Sequence, residues 1–193
     1  EALEELIKKI KSKQELSPDA EEYFYSISKE KTFSKGTELI RQGQDVTKIY
    51  FVTDGILRSY CNDKNGKEHT LQFAIKNWWI SDYIAIHNKK PATLNVECLK
   101  KSKVIEFNAK KLDEIFALFP EFEPFQRNIL ERHVVSLHQR ILNQLQLTGA
   151  EKYDLFLEQY PDIEQNIRNY HIASYLGLTQ ESLSRIRVEK AKK

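Results

Sequence analysis

Tyr170-His171-Ile172-Ala173-Ser174-Tyr175-Leu176-Gly177-Leu178-Thr179-Gln180-Glu181-Ser182-Leu183-Ser184-Arg185-Ile186-Arg187 is the stretch on which the reading of this chain turns. Ile172, Ala173 and Leu176 form an apolar stripe at helical spacing, and Gly177 permits a sharp turn after them. Leu178 plugs the angle, Thr179 caps the next helix, and Leu183 and Ile186 hold that helix down. Two short helices crossing steeply through a Gly-containing turn make a helix-turn-helix. With Leu183 and Ile186 inward, the outward face is Gln180, Glu181, Ser184, Arg185 and Val188. In such motifs the N-terminal end of the second helix enters the major groove. Gln can pair with adenine, Arg with guanine, and Glu can accept from cytosine N4. A plain helical hairpin with a solvated face is the competing reading, and the polar outward set with its local charge disfavours it.

The surrounding charge agrees. Residues 166–193 carry six basic side chains (Arg168, Arg185, Arg187, Lys190, Lys192, Lys193) against two acidic ones (Glu181, Glu189), although the whole 193-residue chain is only +2. A basic end on a nearly neutral body suits a polyanionic partner, as it also suits a solvated tail.

Upstream, Phe125 to about Thr148 reads as one long helix. Leu130, Val134, Leu137 and Ile141 recur at alternating spacings of four and three, the seam of a two-stranded coiled coil, weakened at Gln144 and Thr148. Packing of this helix on its own domain is the alternative. A dimer seam is preferred, because so long a helix beside a small barrel has few internal partners. Pro120 and Pro124 bracket a break before it, and Asn108 can cap a helix over 109–119. After Thr148-Gly149, helices are expected at about 150–160 and 162–168.

Between Thr32 and Phe107 the texture is that of short strands. Ile49–Val52 and Ile56–Tyr60 flank the turn Thr53-Asp54-Gly55, and Asp63–Gly66 makes another. Leu71, Phe73 and Ile75 are expected on one face of the next strand, with Thr70, Gln72 and Ala74 on the other. Leu94, Val96 and Cys98 alternate likewise. Strands at this spacing favour a barrel or sandwich over a parallel sheet. Residues 1–30 read as helical, with Ser17-Pro18 starting the second segment. Of Trp78-Trp79, Trp79 is expected to fill the barrel and Trp78 to cover its surface.

Hydrophobic residues are 40% and charged residues 30% of the chain, ordinary for a globular protein. No apolar run approaches the ~18 residues of a membrane span. The first residues show no secretory hydrophobic stretch, and the missing initiator Met is read as trimming. Cys61 and Cys98 alone cannot supply a disulfide framework or a four-cysteine metal or iron–sulfur site, and they are expected to behave as small apolar residues. A reducing cytoplasm follows. The five histidines make no His-x-His or His-Glu-x-x-His pair. His133 and His138, five apart on one helix, diverge by roughly 140°. With no Walker-type loop or Gly-x-Ser-x-Gly elbow either, no enzyme, cofactor or metal site is expected.

In these landmarks the chain resembles the Crp/Fnr family of bacterial transcription regulators over nearly its whole length. Lys35-Gly36-Thr37, Arg41-Gln42-Gly43, Ile49–Gly55 and Asn65-Gly66-Lys67-Glu68 are similar to successive landmarks of the family's cyclic-nucleotide-binding-type barrel. The long helix resembles its dimerisation helix, and His171–Arg187 its helix-turn-helix. The resemblance implies an α+β chain in three parts. These are an antiparallel β-barrel or jelly-roll sensor over 1–118, a dimerisation helix over 119–148, and a DNA-binding helix-turn-helix domain over 149–193. It implies a homodimer on an inverted repeat of double-stranded DNA, a small-molecule effector, and RNA polymerase as a further partner. By the same resemblance Gln180, Glu181 and Arg185 read bases, while Thr179 and Ser182 touch phosphate. The first reading position is often Arg in the family, so Gln180 alters the expected half-site. The sequence stops at Lys193, soon after this helix, without the two-stranded wing of longer members; truncation explains this, or a kinship with short members that end here.

Cyclic-nucleotide binders of this fold use Gly-Glu at the start of a short helix, with Arg-Ser about ten residues on. The Glu takes the ribose hydroxyl and the Arg the cyclic phosphate. Here Ser81-Asp82 and Ala92-Thr93 stand at those places, the candidate effector pocket. Asp82 can accept a hydroxyl, but Ala92 removes the phosphate partner, and Lys89 and Lys90 beside Pro91 read as a solvated turn. Cyclic AMP is therefore not the expected ligand; the alternatives are another small ligand in a remodelled pocket, or a barrel kept mainly as a scaffold. A signalling or protein-interaction module that no longer binds DNA is the alternative function. It leaves the Gln-Glu…Arg face without a purpose.

Overall fold

A computed structural model describes residues 2–192; Glu1 and Lys193 lie outside the described residues. Among the described residues eight α-helices, two 3-10 turns and eight strands follow in order, and the chain divides into two compact units. One contains residues up to Ser59 together with Phe73–His133. The other contains Tyr60–Gln72 and the chain from Val134 onward.

In the first unit α1 (Ala2–Lys11) and α2 (Pro18–Ile27) precede the strands. Ser17 caps α2, its Oγ accepting from Ala20 N at 3.2 Å, and Pro18 takes the first turn, where no N–H is needed. The strands are β1 (Ser28–Phe33), β2 (Glu38–Ile40), β3 (Lys48–Asp54), β4 (Leu57–Asn62), β5 (Glu68–Ala74), β6 (Trp79–Ile80), β7 (Asn95–Cys98) and β8 (Ser102–Asn108), with the end of β4 from Tyr60 and the start of β5 up to Gln72 counted in the second unit. They form two four-stranded sheets, ordered β1-β8-β3-β6 and β2-β7-β4-β5, with antiparallel pairing at β1/β8, β2/β7, β3/β6 and β3/β8. This is the antiparallel barrel-type architecture expected. Lys29, Glu30 and Lys31 lie exposed along the edge strand β1, where charge discourages pairing with another chain.

Two apolar layers hold this unit. Inside lie Ile40, Tyr50, Val52, Leu57, Ala74, Ile80, Ala92, Val96, Cys98 and Val104. Burial pushes the Cys98 thiol up to about 11, so it behaves as a small apolar group. On the other face of the β1/β8/β3 sheet, Phe51, Ile105 and Phe107 meet α1, α2 and α4 (Ala109–Leu118). Phe24 is fully buried there, its ring 5.4 Å from that of Phe107 and 5.5 Å from that of Phe122. Asn108 caps α4 as expected, accepting from Lys111 N. Gly55 turns the β3–β4 hairpin at φ 98°, and a Cβ there would stand 2.6 Å from the Ser102 Cα. Both the left-handed backbone and the close approach require glycine.

Two expectations need correction. Trp79 lies on the helix-covered face, 5.0 Å from the Phe51 ring and 5.2 Å from that of Phe107, while Trp78 packs on the inner layer. The two tryptophans thus exchange roles. On β5, Thr70 is buried, its backbone amide and hydroxyl bonded to Ser174, while Leu71 beside it is 43% exposed, so the two differ as alternation requires. The helix expected at 162–168 is a single 3-10 turn, Ile163–Gln165, preceded by Asp162 in the left-handed region.

After α4 and a short 3-10 turn at Pro120–Phe122, α5 runs from Glu123 to Gln146. It has no buried residue. In the second unit α6 (Gly149–Gln159), α7 (Asn169–Leu176) and α8 (Gln180–Ala191) follow. No helix among the described residues is long and apolar enough to cross a membrane.

Candidate nucleic-acid interface

The helix-turn-helix is α7 and α8. A capping box at Thr148 and Glu151 starts α6, whose Tyr153 and Phe156 are buried. Phe156, Tyr160 and Tyr175 then form an aromatic cluster with centroids 5.2–6.1 Å apart. Ile172, Ala173, Leu176 and Leu183 are buried between the helices, the inward set the sequence implies. Gly177 ends α7 at φ 71°, the left-handed conformation that lets the chain turn into α8.

Thr179 is the N-cap of α8, its Oγ1 accepting from Ser182 N at 3.1 Å and donating to Ser182 Oγ at 3.0 Å. Thr179→Ala is expected to cost about 1 kcal/mol in urea unfolding, with Ser at 179 restoring most of it. A Ser variant as weak as Ala would show that the methyl, not the hydroxyl, matters.

Gln180, Glu181, Ser184, Arg185 and Val188 are exposed, and Ser182 is half-buried beside the cap. The Glu181 backbone N–H and the Thr179 hydroxyl hold the Glu181 carboxyl below the usual range, and Arg185 one turn on adds to this. An acceptor and a planar donor fork therefore stand side by side on the open face. Not all of the local positive charge is available. Arg187 pairs with Glu164 at 3.4 Å and with Asn169, and Lys190 pairs with Asp154.

On α5, Leu130, Val134, Leu137 and Ile141 are 57%, 50%, 37% and 56% exposed. Leu145, at 78%, continues the stripe. Sequence spacing alone stopped at Gln144.

The four candidate effector residues stand close together around α3 (Tyr83–Asn88), with their polar groups engaged. Ser81 Oγ donates to Lys48 O at 2.7 Å. Asp82 is fully buried and caps α3, Oδ1 accepting from Ala85 N. Its Oδ2 accepts from Thr93 N, Thr93 Oγ1 and Leu94 N at 2.6, 3.0 and 2.9 Å. Ala92 is buried in the inner layer. Asp82, read from sequence as able to accept a ligand hydroxyl, already carries four donors. Lys89 and Lys90 are exposed at the end of α3.

Arg140, Ser174 and Thr70 escaped the sequence reading. Their positions break no pattern, and only the fold brings them together.

Comparison with known proteins agrees with this architecture. The family description "Cyclic nucleotide-binding domain" matches residues 30–118. Regulatory protein HlyX of Actinobacillus pleuropneumoniae is 23% identical, over 83% of this chain and 70% of its own length. FixK2 from Bradyrhizobium japonicum superposes with a TM-score of 0.73 at 16% identity, over 86% of this chain and 85% of that one. A structure from Eubacterium rectale, assigned to the crp/fnr family of transcriptional regulators, has a TM-score of 0.73 at 18% identity, over 92% and 85% of the two chains. With the barrel, the long helix and the helix-turn-helix all in place, the chain is similar to Crp/Fnr transcription regulators over most of its length, and residues 30–118 match the cyclic nucleotide-binding domain.

Proposed function

We propose that the protein regulates transcription as a cytoplasmic homodimer that reads an inverted repeat of double-stranded DNA, and that it is not an enzyme. The observation that carries this reading is the open face of α8. Gln180, Glu181 and Arg185 stand exposed on its first two turns, while Leu183 behind them is fully buried. That face reads base edges, and Thr179 and Ser182 at the helix N-terminus meet phosphate. Residues 1–118 act as the sensor, 119–148 as the dimerisation helix and 149–193 as the DNA-binding domain. The barrel does not take cyclic AMP; it takes another small effector in a remodelled pocket or is kept mainly as a scaffold. The absent guanidinium at Ala92 and the saturated Asp82 support this. RNA polymerase is the partner through which a bound dimer would act.

Selection from a random duplex library at near-physiological salt tests the reading, first without ligand and then with cyclic nucleotides. An inverted repeat with half-sites about one turn apart (~34 Å) is expected, unchanged by the nucleotides. Failure to recover any sequence under either condition would favour the protein-interaction reading. Arg185→Ala is expected to weaken binding by about 1–3 kcal/mol and to relax preference at one base pair per half-site. A uniform loss across all sequences would make Arg185 a phosphate contact instead.

A further inference from the structure

Strand β5 is the outermost strand of its sheet, so one row of its backbone groups has no strand to pair with. That row is not left to water. Ser174, on the first helix of the helix-turn-helix, accepts from Thr70 N at 2.8 Å, donates to Glu68 O at 3.0 Å, and shares a 2.9 Å hydrogen bond with the Thr70 hydroxyl. Arg140 of α5 reaches the same place. Its Nη2 donates to Thr70 O at 2.8 Å and to Tyr175 O at 2.9 Å, and its guanidinium lies 4.0 Å over the Tyr175 ring. One turn along α5, Gln144 donates to Leu176 O at 3.3 Å. The last carbonyls of α7 thus receive donors, one of them cationic, from α5. All these groups belong to the second compact unit.

We propose that Ser174 and Arg140 are positioning residues for DNA binding. They latch α7 to the free edge of the β4–β5 hairpin and to α5, so that α8 is presented in one orientation. This rests on the DNA-binding reading above. The latch assists binding because it is closed while Gln180, Glu181 and Arg185 stay exposed. Its loss raises the ordering that binding must supply.

Two measurements on the full chain test this. In duplex titrations, Ser174→Ala and Arg140→Lys should each bind about 5–30-fold more weakly, with base preference and salt slope unchanged, because neither residue touches DNA. By hydrogen exchange without DNA, the Thr70 amide should lose protection in Ser174→Ala. Lower thermal stability with unchanged affinity of the folded protein would reduce the pair to a structural role. Tighter binding would make the latch inhibitory, and an unchanged Thr70 exchange rate would remove the latch; each result overturns the proposal. If the wild-type protein bound no duplex, the positioning role would fall with the parent reading. The Thr70 exchange rate would then report separately whether the hairpin is latched.

Discussion

Asp82→Ala is expected to destabilise the protein by about 3–5 kcal/mol in urea unfolding. The carboxylate is fully buried, and its two oxygens accept from the amides of Ala85, Thr93 and Leu94 and from the Thr93 hydroxyl. Alanine would leave three amides without an acceptor, at roughly 1–3 kcal/mol for each one that stays dry. It would also uncap α3. Asn offers a single acceptor oxygen, so it can restore the helix cap or the clamp on 93–94, but not both. Asp82→Asn should therefore recover less than half of the loss. If the alanine variant fell within about 1 kcal/mol of wild type, water would be reaching the site, and the carboxylate would be free for a ligand after all. The same variants bear on the effector. A side chain that holds two segments of its own barrel cannot also take a ribose hydroxyl, so wild-type unfolding should not shift with added cyclic AMP.

What was legible in the sequence was mostly local. The caps at Ser17, Asn108 and Thr179 and the turns at Gly55 and Gly177 depend on a few neighbouring residues, and these elements form where the residue types demand them. The helix-turn-helix was readable for the same reason: its inward stripe and its turn glycine lie within one short stretch. Sidedness was not readable where distant elements decide it. Thr70 is buried because Ser174, 104 positions away, lies against it, and no alternation rule contains that fact. Trp79 faces away from the inner layer, against the rings of Phe107 and Phe125, which lie far from it in sequence. The helix expected at 162–168 fails because Asp162 adopts a left-handed conformation and the Asn166 side chain bonds back to its carbonyl, closing the turn early. At the sensor, the missing arginine could be read from Ala92. The occupation of Asp82 by its own chain could not.

The second large effect concerns α5. Ile141→Asp, or the double variant Val134→Asp/Ile141→Asp, is expected to convert a dimer into monomers at about 10 μM and to lower DNA affinity by ~10²–10⁴-fold. The stripe Leu130, Val134, Leu137, Ile141 and Leu145 is solvent-exposed in the single chain, on a 24-residue helix that buries none of its residues. Under the proposed dimer this apolar surface is covered by a second copy of the same helix, which the heptad spacing of Leu130, Val134, Leu137 and Ile141 suits. At a two-fold seam each residue meets its own copy, so one substitution places two like charges face to face in a low-dielectric interface. The monomer should keep its fold and helical content, because neither side chain belongs to a core, while its unfolding midpoint drops by the lost association and no longer depends on protein concentration. The loss in DNA binding then comes from geometry. Two recognition helices on one dimer make the second half-site an intramolecular partner, and a monomer forfeits that effective concentration while every contact of α8 remains available. The variant should accordingly keep its base preference on an isolated half-site. Sedimentation equilibrium and duplex titration on full and half sites separate the alternatives. A wild-type protein that is itself monomeric would remove the seam. A monomeric variant that still bound the inverted repeat at full strength would show that each recognition helix reads its half-site alone.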